Sequence, residues 1–485
     1  MKSVRRGKSV RKRGRQRVQI GAPDPSLTGA SGVAAVAEFI EALDVVGRFD
    51  RGIGSVKKRE RGATAGELLV GMAQSQLLGA DALVGLDRQR ADAAASELSA
   101  VPVLASTTAA GLARRFGPDQ FAGVEVAVAE LARRAVDLLP VERKMALSAK
   151  VTIDLDSTDV EVYGSRKQGV AYNYAGQRAG RPHLATWAEA ALTTAADLLA
   201  GNDDVRPRAA DMLTRGLAGV PESVRDTARA GDRLRTRADA GYFTADLAHT
   251  AVEEGCDFAI AAKRNTAMWR AYASIDPDAW VEAIDMPGAQ VAAVDYAPAG
   301  WPDGTYTIVR RVRVDAEDIS ADPRSRRRRT IDKNQLALAL EGTATHAYAV
   351  SFIVTNIPAN DRPGDGNAES ILEVEAWFRR RTDIEDRIRE AKLGAALRKL
   401  PSGNHAINSV WMWAALIAGN LSTLLQTLTR IDEHGRAHAA RLRHELLCVP
   451  ARLVRHQRRL TLRLPPGDHL LPIVLTRIRE LPTAA

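Results

Sequence analysis

Apolar residues recur at every third or fourth position through 33–46, 63–78, 105–116 and 123–138, the spacing that lines one face of a helix, so the first part of the chain to about 147 reads as helical. The pattern changes at 150. Residues 150–156 (Lys-Val-Thr-Ile-Asp-Leu-Asp) are short and β-branched and end on carboxylates, which predicts a strand. Residues 181–191 and 193–199 predict two more strands, 208–217 and 221–230 two helices, and 232–239 a fourth strand that again ends on an acid. A turn at Ala240-Gly241 leads to a helix over 244–255, with Thr244 placed as its N-cap, and 256–262 is a fifth strand. Strands first, then strand alternating with helix, predict a mixed sheet with helices on its faces.

Residues 264–342 break that rhythm with strand-like runs at 290–297 and 305–314, and read as a mainly β insertion holding Trp269, Trp280 and Trp301. Residues 345–356 resume as an apolar strand, 361–366 as a loop, and 378–392, free of Gly and Pro, as one helix. After Pro401 the chain reads as helical and basic to its end. The most apolar window, 407–426, is interrupted by Asn408, Ser409, Asn420, Ser422 and Thr423, which predicts a buried helix rather than a membrane span. A chain of 485 residues exceeds the ~250–300 residues at which single cores stop growing, so more than one folded unit is expected.

Charge changes the picture more by its distribution than by its sum of +9. Residues 1–17 hold nine Lys or Arg and no acid. Two further clusters are Arg324 with Arg326 to Arg329, and Arg452, Arg455, Arg458, Arg459 and Arg463. Together they point to a polyanion partner, most simply nucleic acid. The basic N-terminus has no apolar stretch behind it, unlike a secretory signal. Two cysteines, Cys256 and Cys448, are too few for a disulfide framework or a zinc cage and fit a reducing cytosol.

Three acids stand at element ends: Asp156, Asp239 and Glu385. On a helix over 378–392, Phe378, Arg381, Glu385 and Lys392 fall within a ~60° arc. Converging carboxylates repel unless cations sit among them, and oxygen ligands suit Mg²⁺ or Mn²⁺. Two such ions ~3.5–4 Å apart activate a water and stabilise the leaving oxygen of a phosphodiester. Arg381 and Lys392 are placed to hold phosphates.

Asp156-Ser157-Thr158, the run Arg237-Ala238-Asp239-Ala240-Gly241-Tyr242-Phe243, and the Phe378/Arg381/Glu385/Lys392 spacing together resemble a bacterial insertion-sequence DDE transposase. The group it resembles has a third motif of Tyr, two residues, Arg, three residues, Glu, six residues, Lys. The spacing matches at each position over a likeness that spans roughly 150–400, with Phe378 replacing the motif's Tyr and removing its hydroxyl. The resemblance implies an α/β fold with an RNase H-like mixed sheet, helices on both faces, interrupted by a mainly β insertion and flanked by N- and C-terminal helical regions. It implies Asp156, Asp239 and Glu385 as a catalytic triad holding two Mg²⁺ or Mn²⁺ ions, and Arg381, Lys392 and Phe378 at the DNA. It also implies cutting of double-stranded DNA at transposon ends by activated water, then attack of the freed 3′-hydroxyl on target DNA, by a homodimer in the DNA complex. In the family the insertion helps hold a strand end, and Trp269, Trp280 or Trp301 could stack on a base, although packing is the ordinary role of each.

The expected organisation is a disordered basic arm (1–30), a helical DNA-binding region (31–148), the first part of the core (149–263), the insertion (264–342), the second part of the core with the catalytic helix (343–398) and a helical basic region (399–485). The expected location is cytoplasmic, at the nucleoid, with no membrane. Within the N-terminal region, the pair 81–98 and 106–116 suits a plain bundle better than a helix-turn-helix reader, because no base-reading face is evident.

Two alternatives remain at this level. Val-Thr-Ile-Asp154-Leu-Asp156 is similar to the first motif of haloacid-dehalogenase-type phosphatases, with Asp154 as nucleophile. That template expects a later acid where Thr236 stands, and leaves Glu385 unused. The other alternative is a catalytically inactive DNA-binding relative, against which stands the presence of all three acids. If the arm binds DNA, deleting 1–17 will lower the slope of log K against log salt by ~0.9 for each phosphate no longer neutralised. An unchanged slope in a filter-binding titration excludes that role.

Overall fold

The computed structural model describes residues 18–58, 61–359 and 370–482, so the basic stretch 1–17 and the loop expected at 361–366 lie outside the described residues. Its centre is a sheet whose principal strands are β1 (Val151–Ser157), β2 (Arg178–Trp187), β3 (Leu192–Ala200), β4 (Leu234–Ala238), β5 (Asp257–Ala261), β6 (Ala289–Val294), β7 (Tyr306–Asp315) and β8 (His346–Thr355). Across the sheet their order is β3-β2-β1-β4-β5-β8-β7-β6. β1, β2 and β3 form an antiparallel meander, while β4 and β5 run parallel to β1. This is the RNase H-like mixed sheet with its second strand reversed. β1 is central and buried from Val151 to Leu155, as a strand covered on both faces must be.

The insertion does not stand apart. β7 and β8 pair over ten residues, from Tyr306 opposite Thr355 to Asp315 opposite His346, and β8 pairs with β5, so the core sheet continues into the insertion.

Eight helices matter here: α1 (Ala65–Leu77), α2 (Pro118–Leu138), α3 (Ala209–Ala218), α4 (Glu222–Ala230), α5 (Ala245–Glu253), α6 (Ile371–Arg379), α7 (Thr382–Arg389) and α8 (His405–Leu428). α3 lies so close to the sheet that a Cβ at Gly216 would meet Ala185 Cβ at 2.7 Å. α8 is buried almost all round because it is wedged between α1 and β3. Its polar interruptions have partners: Asn420 accepts from Thr193 N and donates to Thr193 O, both at 2.9 Å, and Asn408 bonds the backbone of Ser402. Among the described residues no helix is long and apolar enough to cross a membrane.

Two expectations are corrected at the ends of the chain. The basic C-terminal region is not helical throughout: Ala451–His456 and Arg459–Arg463 form an antiparallel hairpin, turned at Gln457 with φ 55°. Its alternating Leu and Val were hidden among five arginines, and Leu453 opposite Leu462 pins the register. The expected arm over 1–30 is also shorter, because Leu27–Thr28 pairs with the first strand of that hairpin.

α2 is joined to the sheet through Glu125, which accepts from Ala196 N at 3.2 Å and from Arg215 at 3.0 Å, while Arg215 also binds Asp197 at 2.6 Å. Burial pushes the Glu125 carboxyl up to about 7, with Arg215 opposing. The folded chain therefore holds this proton to higher pH than the unfolded chain does, and the group lowers stability as pH rises from about 4.5 to about 7. Glu125→Gln removes that dependence. The melting temperature of the variant relative to the wild type should rise between pH 5 and pH 7.5, as differential scanning fluorimetry would measure.

Candidate active site

Alternation along β1 places Thr152, Asp154 and Asp156 on one face. Asp154 is buried, and both its oxygens are taken by Arg237 of β4, at 2.7 and 2.8 Å. Arg237 also donates to the Trp377 carbonyl and lies 5.0 Å from that indole's centre. The indole N–H donates to Thr152 Oγ1 at 3.3 Å. A further buried acid on α6, Glu375, binds Arg310 of β7 at 2.6 Å and Arg379 at 3.1 Å. α6 is thereby fastened to β1, β4 and β7 at once. Burial pushes Asp154 up to about 6, and Arg237 draws it down. With neither oxygen free, Asp154 is not available as a phosphatase nucleophile.

The same register sets the first two candidate acids side by side. β1 and β4 are parallel with Asp154 opposite Arg237. Two residues further along each strand, on the same face, stand Asp156 and Asp239. Asp156 ends β1 and accepts from Ser157 N at 2.8 Å. Asp239 follows β4 and accepts from Gly241 N at 2.7 Å, in a turn where a Cβ at Gly241 would stand 2.8 Å from Asp239 Oδ1. Glu385 lies in the first turn of α7 with its side chain exposed. Burial pushes Asp156 up to about 6; Arg381 lowers it, and the nearby charges of Asp239 and Glu385 raise it further. Asp239 and Glu385 thus lie near enough for their charges to bear on Asp156. They are not yet gathered: among the described residues no three His, Cys, Asp or Glu side chains are close enough to hold an ion. The donor set, all carboxylate oxygens, suits Mg²⁺ or Mn²⁺ in kind, while the placement leaves the cage incomplete.

The single helix expected over 378–392 is three pieces: α6 to Arg379, α7 from Thr382, and a wide turn at Glu390–Gly394. At the junction Arg381 N, Asp383 N and Ile384 N bond to the carbonyls of Phe378, Arg380 and Arg381, an i to i−3 pattern at 2.9–3.1 Å. The winding thus tightens at the junction, yet Arg381, Glu385 and Lys392 all remain close enough to Asp156 for charge to act between them. Phe378 packs on the small core of Ile371, Val374, Trp377 and Tyr306. Arg381 Nη1 lies 3.6 Å from Asp156 Oδ2. Lys392 donates to Thr158 Oγ1 at 2.6 Å and to Asp159 O at 3.0 Å, tying the wide turn after α7 to the loop after β1. Asp159 in turn accepts from Arg181 and from Asn173, each at 2.8 Å.

The tryptophans of the insertion pack. Trp269 meets Phe352 edge-on at 5.6 Å, Trp280 lies 4.0 Å from the Arg311 guanidinium, and Trp301 sits 5.0 Å from Phe243. His183 is fully buried 5.5 Å from the Tyr242 ring, and burial pushes it down to about 4. Sequence reading missed Arg237, Glu375, Arg310 and Asp159. The one available signal was Arg235-Thr236-Arg237, charges alternating inside a run read as a strand.

The chain matches the family model described as transposase DDE domain group 1 over residues 11–483. Among solved structures it is similar to the piggyBac transposase in a cryo-EM structure of its synaptic complex with hairpin DNA, with TM-score 0.42 and 8% identity, covering 85% of this chain and 79% of that one. No curated protein matches it.

Arg237→Ala would leave the Asp154 carboxylate buried and unpaired, a change that typically costs about 3–5 kcal/mol. Guanidinium unfolding should register that loss, and the double replacement Asp154→Leu with Arg237→Met should recover most of it.

Proposed function

Because the chain belongs to the DDE transposase family, we propose that it cuts double-stranded DNA at the ends of an insertion sequence, by activated water, and joins the freed 3′-hydroxyls to target DNA. Asp156, Asp239 and Glu385 are the catalytic carboxylates in this reading and would hold two Mg²⁺ or Mn²⁺ ions. The observation that carries it is that strand register sets Asp239 level with Asp156, two residues beyond the Asp154–Arg237 pairing, and that the charges of both Asp239 and Glu385 bear on Asp156. Bound divalent ions would supply charge stabilisation at the phosphoryl oxygens and a nucleophile at neutral pH.

The chain's own groups do the rest. Arg381, partly buried beside Asp156, is positioned to meet a phosphate at the cut. Lys392 keeps the loop carrying Thr158 fixed, so that Asp156 keeps its aim, and is the second cation near the strand being cut. Phe378 supports α6 by packing. The exposed Arg324, Arg326, Arg327 and Arg329 and the arginines of the C-terminal hairpin supply positive surface for the DNA backbone away from the cut. Two ends must be held together for joining, so a homodimer on DNA is expected, in the cytoplasm at the nucleoid.

The test uses labelled duplexes carrying the terminal sequences that flank the chain's own gene, with Mg²⁺. The wild type should nick at the end, and Glu385→Gln should lose detectable nicking while still retarding the duplex on a gel. Cutting by the variant at the wild-type rate would refute the triad. A wild type that binds without cutting would make the chain an inactive DNA-binding relative.

A further inference from the structure

Arg381 is held differently from the other partly or fully buried arginines of the site. Arg237 makes two short bonds to Asp154 and a third to a carbonyl. Arg310 meets Glu375 at 2.6 Å. Arg381 comes only to 3.6 Å of Asp156, beyond a good hydrogen bond, and its Nη1, shielded from solvent, has no hydrogen-bond partner among the described residues. A shielded donor left unsatisfied costs free energy, so this side chain gains from moving to an acceptor of fitting shape. It springs from the tight junction between α6 and α7, a place where winding changes and small rotations are cheap compared with the helix interior. The groups around it are otherwise fixed: Lys392 is tied to Thr158 and Asp159, and Asp239 to Gly241 N.

We propose that Arg381 is an interlock: in the DNA-free chain its guanidinium takes the face of Asp156 that a divalent ion needs, and a DNA phosphate draws it off, so that Asp156, Asp239 and Glu385 close on the ion only when substrate is present. This rests on the triad reading above. The physical basis is exchange of one partner for a better one. A guanidinium fits a phosphate bidentately, whereas here it meets a single carboxylate oxygen at long range. A divalent cation and a guanidinium also repel each other at one carboxylate, so each weakens the binding of the other. DNA and metal binding are then linked, each strengthening the other by the same factor. Arg381 acts through Asp156 in this step, which makes it a positioning residue for the metal as well as a contact for the substrate.

The readout is metal affinity rather than cutting. Mn²⁺ binding would be followed by electron paramagnetic resonance of the free ion, with the full chain, with and without a short duplex bearing the terminal sequence. The wild type should bind Mn²⁺ weakly alone and about tenfold or more tightly with DNA. Arg381→Ala should bind Mn²⁺ about tenfold more tightly than the wild type without DNA, and DNA should then add little. Arg381→Gln, which keeps the length of the side chain without the charge, should behave like the alanine variant and covers the case in which the alanine variant unfolds. Mn²⁺ affinity unchanged in both variants, or the same strengthening by DNA in wild type and variants, overturns the interlock. Asp156→Asn separates the two levels: if it binds Mn²⁺ as the wild type does in every condition, the carboxylate assignment itself is wrong, and if it loses Mn²⁺ binding while the Arg381 variants match the wild type, only the interlock falls.

Discussion

The arrangement of this protein turns on one buried ion pair, Asp154 with Arg237. A charge that deep is costly to remove from water, and it persists because both carboxylate oxygens and the guanidinium are bonded. The pair does more than neutralise itself. It locks β1 and β4 in parallel register, and strand periodicity then delivers Asp156 and Asp239 together, two residues further along the same face. Through the Trp377 carbonyl and ring, the same guanidinium seats α6, and α7 with Glu385 follows directly from α6. One interaction thus aligns three segments that are far apart in the chain.

Around that pair the rest of the molecule supplies rigidity. α8 fills the space between β3 and α1, and its Asn420 completes hydrogen bonds that the neighbouring strand leaves open. Glu125 and Arg215 fasten α2 to the same strand. On the other side, Glu375 and Arg310 join α6 to the insertion, whose strands extend the core sheet. The tryptophans of the insertion are spent on packing against core aromatic rings and on Arg311. The winding of the chain tightens at the junction of α6 and α7. Just beyond it Glu385 is exposed, and at it Arg381 stands 3.6 Å from Asp156.

Membership of the DDE transposase family accounts for why such a site is built from distant segments. Strand ends converge at a sheet edge, and phosphoryl transfer requires little covalent chemistry from the protein beyond placing charge. In the site proposed for this chain a long insertion separates Asp239 from Glu385, so the helix before Glu385 has to be fixed to the sheet. Trp377 and Glu375 perform that fixing here.

The sequence by itself determined the five core strands within a few residues, the helices between them and the buried character of the window at 407–426, because each of these is written in local periodicity. It did not show that 378–392 breaks into separate helical pieces. That run contains no Gly or Pro, and the tightening at Arg380 and Arg381 comes from seating Trp377 and Arg237 against the sheet. Nor did it reveal the C-terminal hairpin, whose short alternation is masked by arginines and stabilised by Leu27–Thr28 from the far end of the chain. Tertiary structure alone decided the partners of the charges: that Asp154 is sealed by Arg237, that Lys392 is committed to Thr158 and Asp159, and that Arg381 rests against Asp156. Periodicity records which way a side chain points. Only the folded chain determines which opposite charge is there to meet it.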